Sequence, residues 1–423
     1  MVLANDAAAQ NWDFDARTIG LGGVSGSGTL AADMIEHDGG YQSILLPFGL
    51  LQVLPDLDVY DPDSPHFDPV RAVEHAASPL HFVVGRDGTA GDGRFAATIA
   101  AARFYANQPA GASATPGVDL AGVVTANWGG TIRVSAAGAR DFHGVYIGAG
   151  PYVTVRGTAA IDPQFLDVLT GGVASIPPGS FTVLTTRSEE QVAVAVTGGY
   201  RGRYRFRQTP SGRERDGVYV AVNYNYLIGI QYVDDNLAVR VGPADLSIAR
   251  ISAGRGHGNA VDAGAGLVVD RWEFGTGVNG IGNRITWTGA TTRTIAFGNV
   301  LTGAAAGSPG AVTPLADLEV TLPVDVRGNV TYRADRWLGV AEVGHGVAGA
   351  VAHVGGERHV GAALDVRGGL SYSYGDWNPT GGVGVPVNRR VSVDFAAFGT
   401  TANFERARKL GLAASIRIQS AHQ

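Results

Sequence analysis

From Val218 to Tyr232 the even positions read Val218, Val220, Val222, Tyr224, Tyr226, Ile228, Ile230 and Tyr232, while the odd positions include Asn223, Asn225, Gly229 and Gln231. Helical spacing would scatter these apolar residues round a cylinder; a period of two lines them up on one face of a β-strand. The pattern recurs. Val192, Val194, Val196, Tyr200, Tyr204 and Phe206 share a face opposite Arg201, Arg203, Arg205 and Arg207. Val320, Leu322, Val324, Val326, Val330 and Tyr332 oppose Thr321, Asp325, Arg327, Asn329 and Arg333. Val360, Leu364, Val366, Leu370, Tyr372 and Tyr374 oppose His359, Asp365, Arg367, Ser371 and Ser373. Leu410, Leu412, Ala414, Ile416 and Ile418 oppose Lys409, Gly411, Ser415 and Arg417. Weaker alternation over 94–105, 121–135, 142–156, 236–250, 259–271, 283–298, 337–354 and 383–398 brings the total to about a dozen strands.

Length decides the kind of sheet. Strands of soluble proteins run about five or six residues, whereas a strand crossing a bilayer at a tilt needs roughly 9–11 and often continues beyond it. The polar faces carry Gly, Ser, Asn and isolated Arg and Asp, which suits a crowded, hydrated lumen better than bulk solvent. Aromatic residues near the stripe ends (Tyr200, Tyr204, Phe206, Tyr232, Tyr332, Trp337, Tyr372, Tyr374) fit interfacial girdles. The pattern therefore predicts an all-β fold, a single antiparallel transmembrane β-barrel of about 12–14 strands. A large soluble β-protein whose aromatics fill a core remains the alternative.

The N-terminal part is built differently. It holds a glycine run, Ile19 to Gly23, an apolar stretch, Ile44 to Leu54, an acidic Pro-rich loop, and a short helix expected over Pro69 to Ala77. A further helical turn is expected at Pro163 to Leu169, with Asp162 as cap and proline at the first position. The expected division is a hatch or plug with a periplasmic-side segment over 1–90, a barrel wall over 91–418, and a short tail over 419–423.

Composition narrows the chemistry. The 423 residues include 62 glycines without a G-X-Y period and no cysteine, so collagen, disulfides, thiolate metal sites and cysteine nucleophiles are excluded. A hydrophobic fraction of 45% argues against wholesale disorder, and a net charge of −6 gives no general reason to expect nucleic acid as a partner. The longest apolar run, Ile44 to Leu54, is broken by proline, glycine and glutamine and falls short of the ~18–20 residues of a spanning helix. Val2-Leu3-Ala4 fits the small-residue rule before a signal-peptidase cut, so a leader removed or lost from the N-terminus is the matching expectation.

Asp15-Ala16-Arg17-Thr18-Ile19-Gly20-Leu21-Gly22-Gly23-Val24 resembles the mature N-terminus of outer-membrane barrels related to the long-chain fatty-acid transporters, including the conjugal-transfer-like barrels. In these an Ala-Arg-x-x-Gly-x-Gly-Gly stretch begins the chain inside the barrel. The resemblance implies fourteen strands, a hatch carrying Arg17, Gly20, Gly22 and Gly23, and a route for apolar molecules. Lys409 to Ile418 looks like the closing strand that the barrel-assembly machinery reads, here followed by Gln419 to Gln423 rather than ending on an aromatic residue.

The ladder Arg201, Arg203, Arg205, Arg207 is the sharpest electrostatic feature. Four guanidiniums on one face repel unless solvated, paired with carboxylates or occupied by anions. It reads either as an anion-attracting stripe on a pore wall or as a structural ladder pairing with lumen acids such as Asp325 or Asp365. The lumen-facing candidates are Arg201, Arg203, Arg205, Arg207, Asn223, Asn225, Asp325, Arg327, Asp365 and Arg367. The loop Asp56 to Asp63 crowds four carboxylates but lacks the EF-hand pattern, and reads as a solvated acidic loop. His345, His353 and His359 could meet near one hairpin as a metal site, although lumen or interfacial histidines are commoner. No H-E-x-x-H, nucleophile elbow or dinucleotide fingerprint is present, so neither catalytic residues nor a cofactor is expected.

These features predict a barrel in a bacterial outer membrane, in contact with its lipid, that passes or binds small hydrophobic or amphipathic molecules. A non-transporting barrel serving as scaffold in an envelope complex and a soluble β-rich surface protein are the alternatives. Arginine is expected to be costly at Val222 and tolerated at Asn223.

Overall fold

The computed structural model describes residues 4–6, 16–23, 30, 34–35, 41–46, 117–125, 127–136, 140–161, 181–207, 215–241, 245–297, 308–346, 349–361, 364–373, 376–388, 391–400 and 409–419. The strand expected over 94–105, the two short helices, the acidic loop Asp56 to Asp63, Tyr374 and residues 47–54 lie outside these.

Among the described residues a helical turn, α1 (Ala16–Gly20), accompanies a series of strands. The first strands are β1 (Ala4–Asp6), β2 (Tyr41–Leu46), β3 (Gly117–Thr125), β4 (Asn127–Arg133), β5 (Phe142–Ile161), β6 (Phe181–Arg205) and β7 (Gly217–Val241). They are followed by β8 (Asp245–Ala253), β9 (Arg255–Val269), β10 (Trp272–Thr288), β11 (Thr291–Phe297), β12 (Ser308–Pro309), β13 (Thr313–Pro314) and β14 (Leu318–Thr321). The last are β15 (Asp325–Arg333), β16 (Trp337–Gly346), β17 (Gly349–Val360), β18 (Leu364–Ser373), β19 (Asp376–Pro386), β20 (Val391–Thr400) and β21 (Lys409–Gln419).

All belong to one antiparallel sheet. A continuous ladder runs β2–β21–β20–β19–β18–β17–β16–β15–β10–β9–β7–β6–β5. The other edge of β5 takes β3 and β4 in succession, and β1 pairs with β4. Strands β5, β6 and β7, at 20, 25 and 25 residues, overhang the ladder. The overhang of β7 carries β8, then β11 and its short partners β12 and β13.

The two faces of this sheet are inverted relative to a soluble fold. Along β7, Val218, Val222, Tyr224, Tyr226, Ile228 and Ile230 are 36–52% exposed, while Tyr219, Ala221, Asn223 and Leu227 between them are at most 4% exposed. On the opposite stretch of the ladder Val354, Val366, Leu370, Phe395 and Leu412 are exposed, and Glu342, Glu357, Arg367, Asp394 and Ser415 are buried. A contiguous exposed apolar face of this extent demands a non-aqueous cover. From Val218 to Ile230 the stripe measures about 40 Å along the strand, or about 30 Å at the usual ~35–45° tilt.

The stripe ends at Ile230, where β7 bulges. Val192 pairs with Gln231 but Ala193 pairs with Gly229, so Ile230 is an extra residue. A one-residue slip sends every later side chain to the other face. Tyr232, expected on the outer stripe, is therefore buried inside, as is Asp234. The run 320–332 departs likewise: β14 and β15 pair successively with β10, and Leu322 between them is buried.

Inside, Tyr152, Ala193, Ala195, Leu227, Tyr232, Ala260, Ile285 and Trp287 form an apolar core joined by Ala253, Ala290 and Leu322. Strand β10 reaches it through two register shifts around Ile281, flanked by Gly280 and Gly282 at φ 74° and 63°. Asn283 Nδ2 donates to Tyr152 Oη at 2.5 Å and Trp287 Nε1 donates to Gln191 Oε1 at 3.2 Å. These bonds tie β10 to strands that are not its ladder neighbours.

Aromatic residues gather on the outer face at the end away from the overhang. Trp272 stacks on Phe274 (6.1 Å between centroids) and meets Tyr332 edge-on (4.8 Å), and Tyr332 packs against Trp337 (5.0 Å). Tyr200 bonds Tyr204 and His143 on the same face. At the other end Tyr372 packs on Trp377.

Asn223 is packed against Arg201, which donates to its Oδ1 at 2.7 Å. An arginine there would meet a buried guanidinium, so the tolerance expected at Asn223 does not follow from its inward direction. Inward His359 is half exposed beside Asp365 and is the better control. If the outer face meets hydrocarbon, Val222→Arg costs roughly 2–4 kcal/mol and lowers the yield of folded protein on unboiled gels, whereas His359→Arg leaves it unchanged.

Candidate functional site

The N-terminal turn lies on the inner face of β18 to β21. It is closed as a Schellman motif: Gly23 N donates to Thr18 O (2.9 Å) and Gly22 N to Ile19 O (3.0 Å). Gly22 has φ +87°, and a Cβ there would meet Val354 O at 2.6 Å and Leu370 O at 2.7 Å. The wall answers with its own glycines. A Cβ on Gly355 would lie 2.1 Å from Leu21 O, and one on Gly369 would lie 2.5 Å from Gly22 N. Gly20 lies against Gly382 in the same way, and Gly23 against the His353 ring. Main chain therefore rests on main chain, an approach that side chains would prevent.

Hydrogen bonds and charge fix the position. Ala16 N donates to Ser415 Oγ (3.2 Å), Thr380 Oγ1 to Gly20 O (3.3 Å), and His353 Nδ1 to Gly22 O (2.6 Å). Arg17 binds Glu357 with both Nε (3.0 Å) and Nη2 (3.3 Å). Glu357 Oε2 also accepts from Arg367 Nε at 2.6 Å. Arg367 continues to Asp394 (2.7 Å) and Asp365 (3.4 Å), and Arg417 bridges the same two carboxylates at 3.3 and 3.0 Å. Three guanidiniums and three carboxylates thus share one buried network across β17, β18, β20, β21 and the N-terminal turn. Shared hydrogen bonds and opposite charge are what make such burial tolerable.

A second network lies on β15 and β16, where Arg327 pairs with Asp325 (2.8 Å) and Glu342 (2.9 Å), all at most 4% exposed. Met34 and Ile35, further along the N-terminal segment, are held by other strands. Ile35 packs with Tyr219 and Val268 of β7 and β9, and Arg215 donates to Ile35 O (2.7 Å) while pairing with Glu273 (3.0 Å).

Along the arginine ladder burial falls from Arg201 to Arg207. Arg201 is buried, its guanidinium 4.5 Å from the Tyr146 ring centroid; Arg203 and Arg205 are half-buried and Arg207 is exposed. The Nη2 of Arg201 has no hydrogen-bond partner among the described residues. Asp325 and Asp365 are engaged by Arg327, Arg367 and Arg417, so they are not the ladder's counter-charges. Asn225 is half-buried, accepting from Thr197 (2.7 Å) and donating to Asp262 (2.6 Å). Glu357, Asp394 and Glu342 complete the networks and are not among the residues that the sequence pattern singles out, whereas Ser415 lies on the polar face expected of its strand. Asp394 sat at an inward position of a weak strand, and Glu357 lay just beyond the end of another.

The three histidines do not meet. His345 is on the outer face of β16, while His353 and His359 point inward from β17. Glu357, His359 and Asp365 do bring potential ligand atoms within 4.8 Å of one another, but both carboxylates are committed to guanidiniums.

No protein-family model matches the chain, and no curated protein does. Among solved structures it is similar to a TodX deltaS2S3 mutant monoaromatic hydrocarbon channel, with 12% identity, a TM-score of 0.36, and coverage of 71% of this chain and 88% of that one. A FadL homologue of Pseudomonas aeruginosa gives 12% identity and a TM-score of 0.35, covering 70% and 77%. A mutant porin of Rh. blastica gives 8% and 0.24, covering 64% and 91%. At such identities and scores the likeness is one of sheet type, and the chain's own geometry carries its functional reading.

Glu357→Gln removes the negative charge that Arg17 and Arg367 share. It is expected to destabilise the fold by about 3–5 kcal/mol, seen as a lower Tm in detergent. Arg17→Met combined with Glu357→Gln is expected to cost less than the two single changes added together.

Proposed function

We propose that the chain is a fourteen-stranded transmembrane β-barrel of a bacterial outer membrane that passes or binds small hydrophobic or amphipathic molecules, gated by its N-terminal segment. The observation that carries this is the inversion of the sheet: apolar side chains exposed outside, arginine and carboxylate networks buried inside. Only a lipid exterior makes both faces favourable. The strand count is supported by the ladder, which has fourteen positions when β3 and β4 are taken as one. Closure is supported by β1, which pairs with β4 and comes within 8 Å of β2 at the other end.

The gate comprises residues 16–23, held by β18 to β21, and Met34–Ile35, held by β7 and β9. Tyr41–Leu46, within the stretch expected as hatch, pairs with β21 and serves the wall. We take β21 as the strand read by the barrel-assembly machinery. No covalent chemistry is assigned to any residue. Arg201, buried with one donor atom unpartnered among the described residues, is the candidate contact for the anionic end of an amphipathic ligand.

A scaffold reading is favoured by one observation: the Trp287 core fills the interior beside the overhang. Planar-bilayer recording separates the two. Arg17→Glu, which sets two carboxyl groups against each other, is expected to raise conductance severalfold over the wild-type chain. Conductance unchanged by this variant, together with purified protein that carries no lipid-like molecule by mass spectrometry, would favour the scaffold.

A further inference from the structure

The outer face carries one group of basic residues that neither the gate nor the interior networks use. Arg255 and His257 on β9 and Arg284 on β10 are all exposed. His257 pairs with Thr286, Asn259 with Arg284, and Arg255 with Thr288, so the three basic side chains share a face with two threonines and an asparagine. Their direction is set by Ile228, which pairs with His257 and is 45% exposed on the apolar stripe. The group begins where that stripe ends: Ile281, 43% exposed, precedes Arg284 by one short bulge. The acidic residue in this register is Glu319, opposite Thr286 on β14.

Position identifies the neighbour. Successive strands are joined at one end by the turns 270–271 and 334–336; the other end has the two-residue connections of β16 to β17 and β18 to β19 and also the overhang of β5 to β7, the longest extension of the sheet. In outer-membrane barrels short turns face the periplasm and long extensions face outward. The basic group lies toward the overhanging end, at the outer border of the apolar band. Arg255 and Arg284 stand about 14 Å apart by strand geometry, within joint reach of one large headgroup. Guanidiniums bind phosphate bidentately, and hydroxyl and amide donors between them add contacts to a sugar.

We infer that Arg255, His257 and Arg284 form a docking site for the phosphorylated sugar headgroup of an outer-leaflet glycolipid. This rests on the barrel reading above. The site would anchor the wall where β10 bends inward around Gly280 and Gly282.

The test uses the full chain purified in detergent, with bisphosphorylated lipid A as probe and thermal shift and native mass spectrometry as readouts. Wild type is expected to bind and to gain several degrees in Tm. Arg255→Glu/Arg284→Glu is expected to bind about tenfold more weakly, as is wild type toward enzymatically dephosphorylated lipid A. Arg358→Glu, an exposed outward position beside Trp337 at the opposite end, is expected to bind like wild type. If the charge-reversed protein does not fold by unboiled-gel mobility, Arg255→Gln/Arg284→Gln replaces it with the same expectation. Equal binding by the double variant, by dephosphorylated lipid, or an equal loss with Arg358→Glu overturns the site while leaving the barrel intact. A chain recovered from cells without detergent overturns both.

Discussion

A buried charge is tolerable only where other charges and hydrogen bonds replace water, and the interior of this sheet is arranged around that constraint. Glu357 is held by two guanidiniums from different parts of the chain, and Asp394 and Asp365 are each shared by Arg367 and Arg417. Because the inner positions of β17, β18, β20 and β21 are committed to charge, the outer positions must supply the apolar surface. Val354, Val366, Leu370, Phe395 and Leu412 do so. The alternation of the strands is therefore one requirement seen from two sides.

The same requirement explains the N-terminal turn. Arg17 completes the network, and it can reach Glu357 only because Gly20 and Gly22 let the backbone settle onto Gly355, Gly369 and Gly382. Charge supplies the attraction and the missing Cβ atoms supply the room. The region around β9 and β10 is packed by different means. Trp287 packs on Gly229 and Gly256 inside an apolar core, reached by a strand that bends at two glycines.

Much of this was legible in the sequence because a period of two is a strong signal when it persists over a dozen residues. The outward direction of Val218 to Ile230 and the inward direction of Arg327, Arg367 and Asn223 follow from parity alone. What parity cannot carry is a change of phase. The extra residue at Ile230 turns Tyr232 inward, and the break between β14 and β15 does the same to Leu322. Pairing was also out of reach. Asp325 and Asp365 are engaged by arginines on their own and other strands, and nothing local to Arg201 announced that it would stand apart from them. The glycines of the N-terminus were conspicuous, but their wall counterparts, scattered over three strands, were not.

The absence of cysteine permits a direct measurement of the central claim, that the exposed stripe faces lipid hydrocarbon. Single cysteines placed in turn from Val218 to Asp234 can be spin-labelled and the protein reconstituted in bilayers. Accessibility to oxygen, which partitions into lipid, is then compared with accessibility to a polar nickel chelate. The account predicts oxygen-dominated exposure at the even positions up to Ile230 and protection at the odd ones, with the phase reversing beyond the bulge so that Tyr232 is protected. Nickel-dominated exposure at Val222, Tyr224 and Ile228 would contradict it.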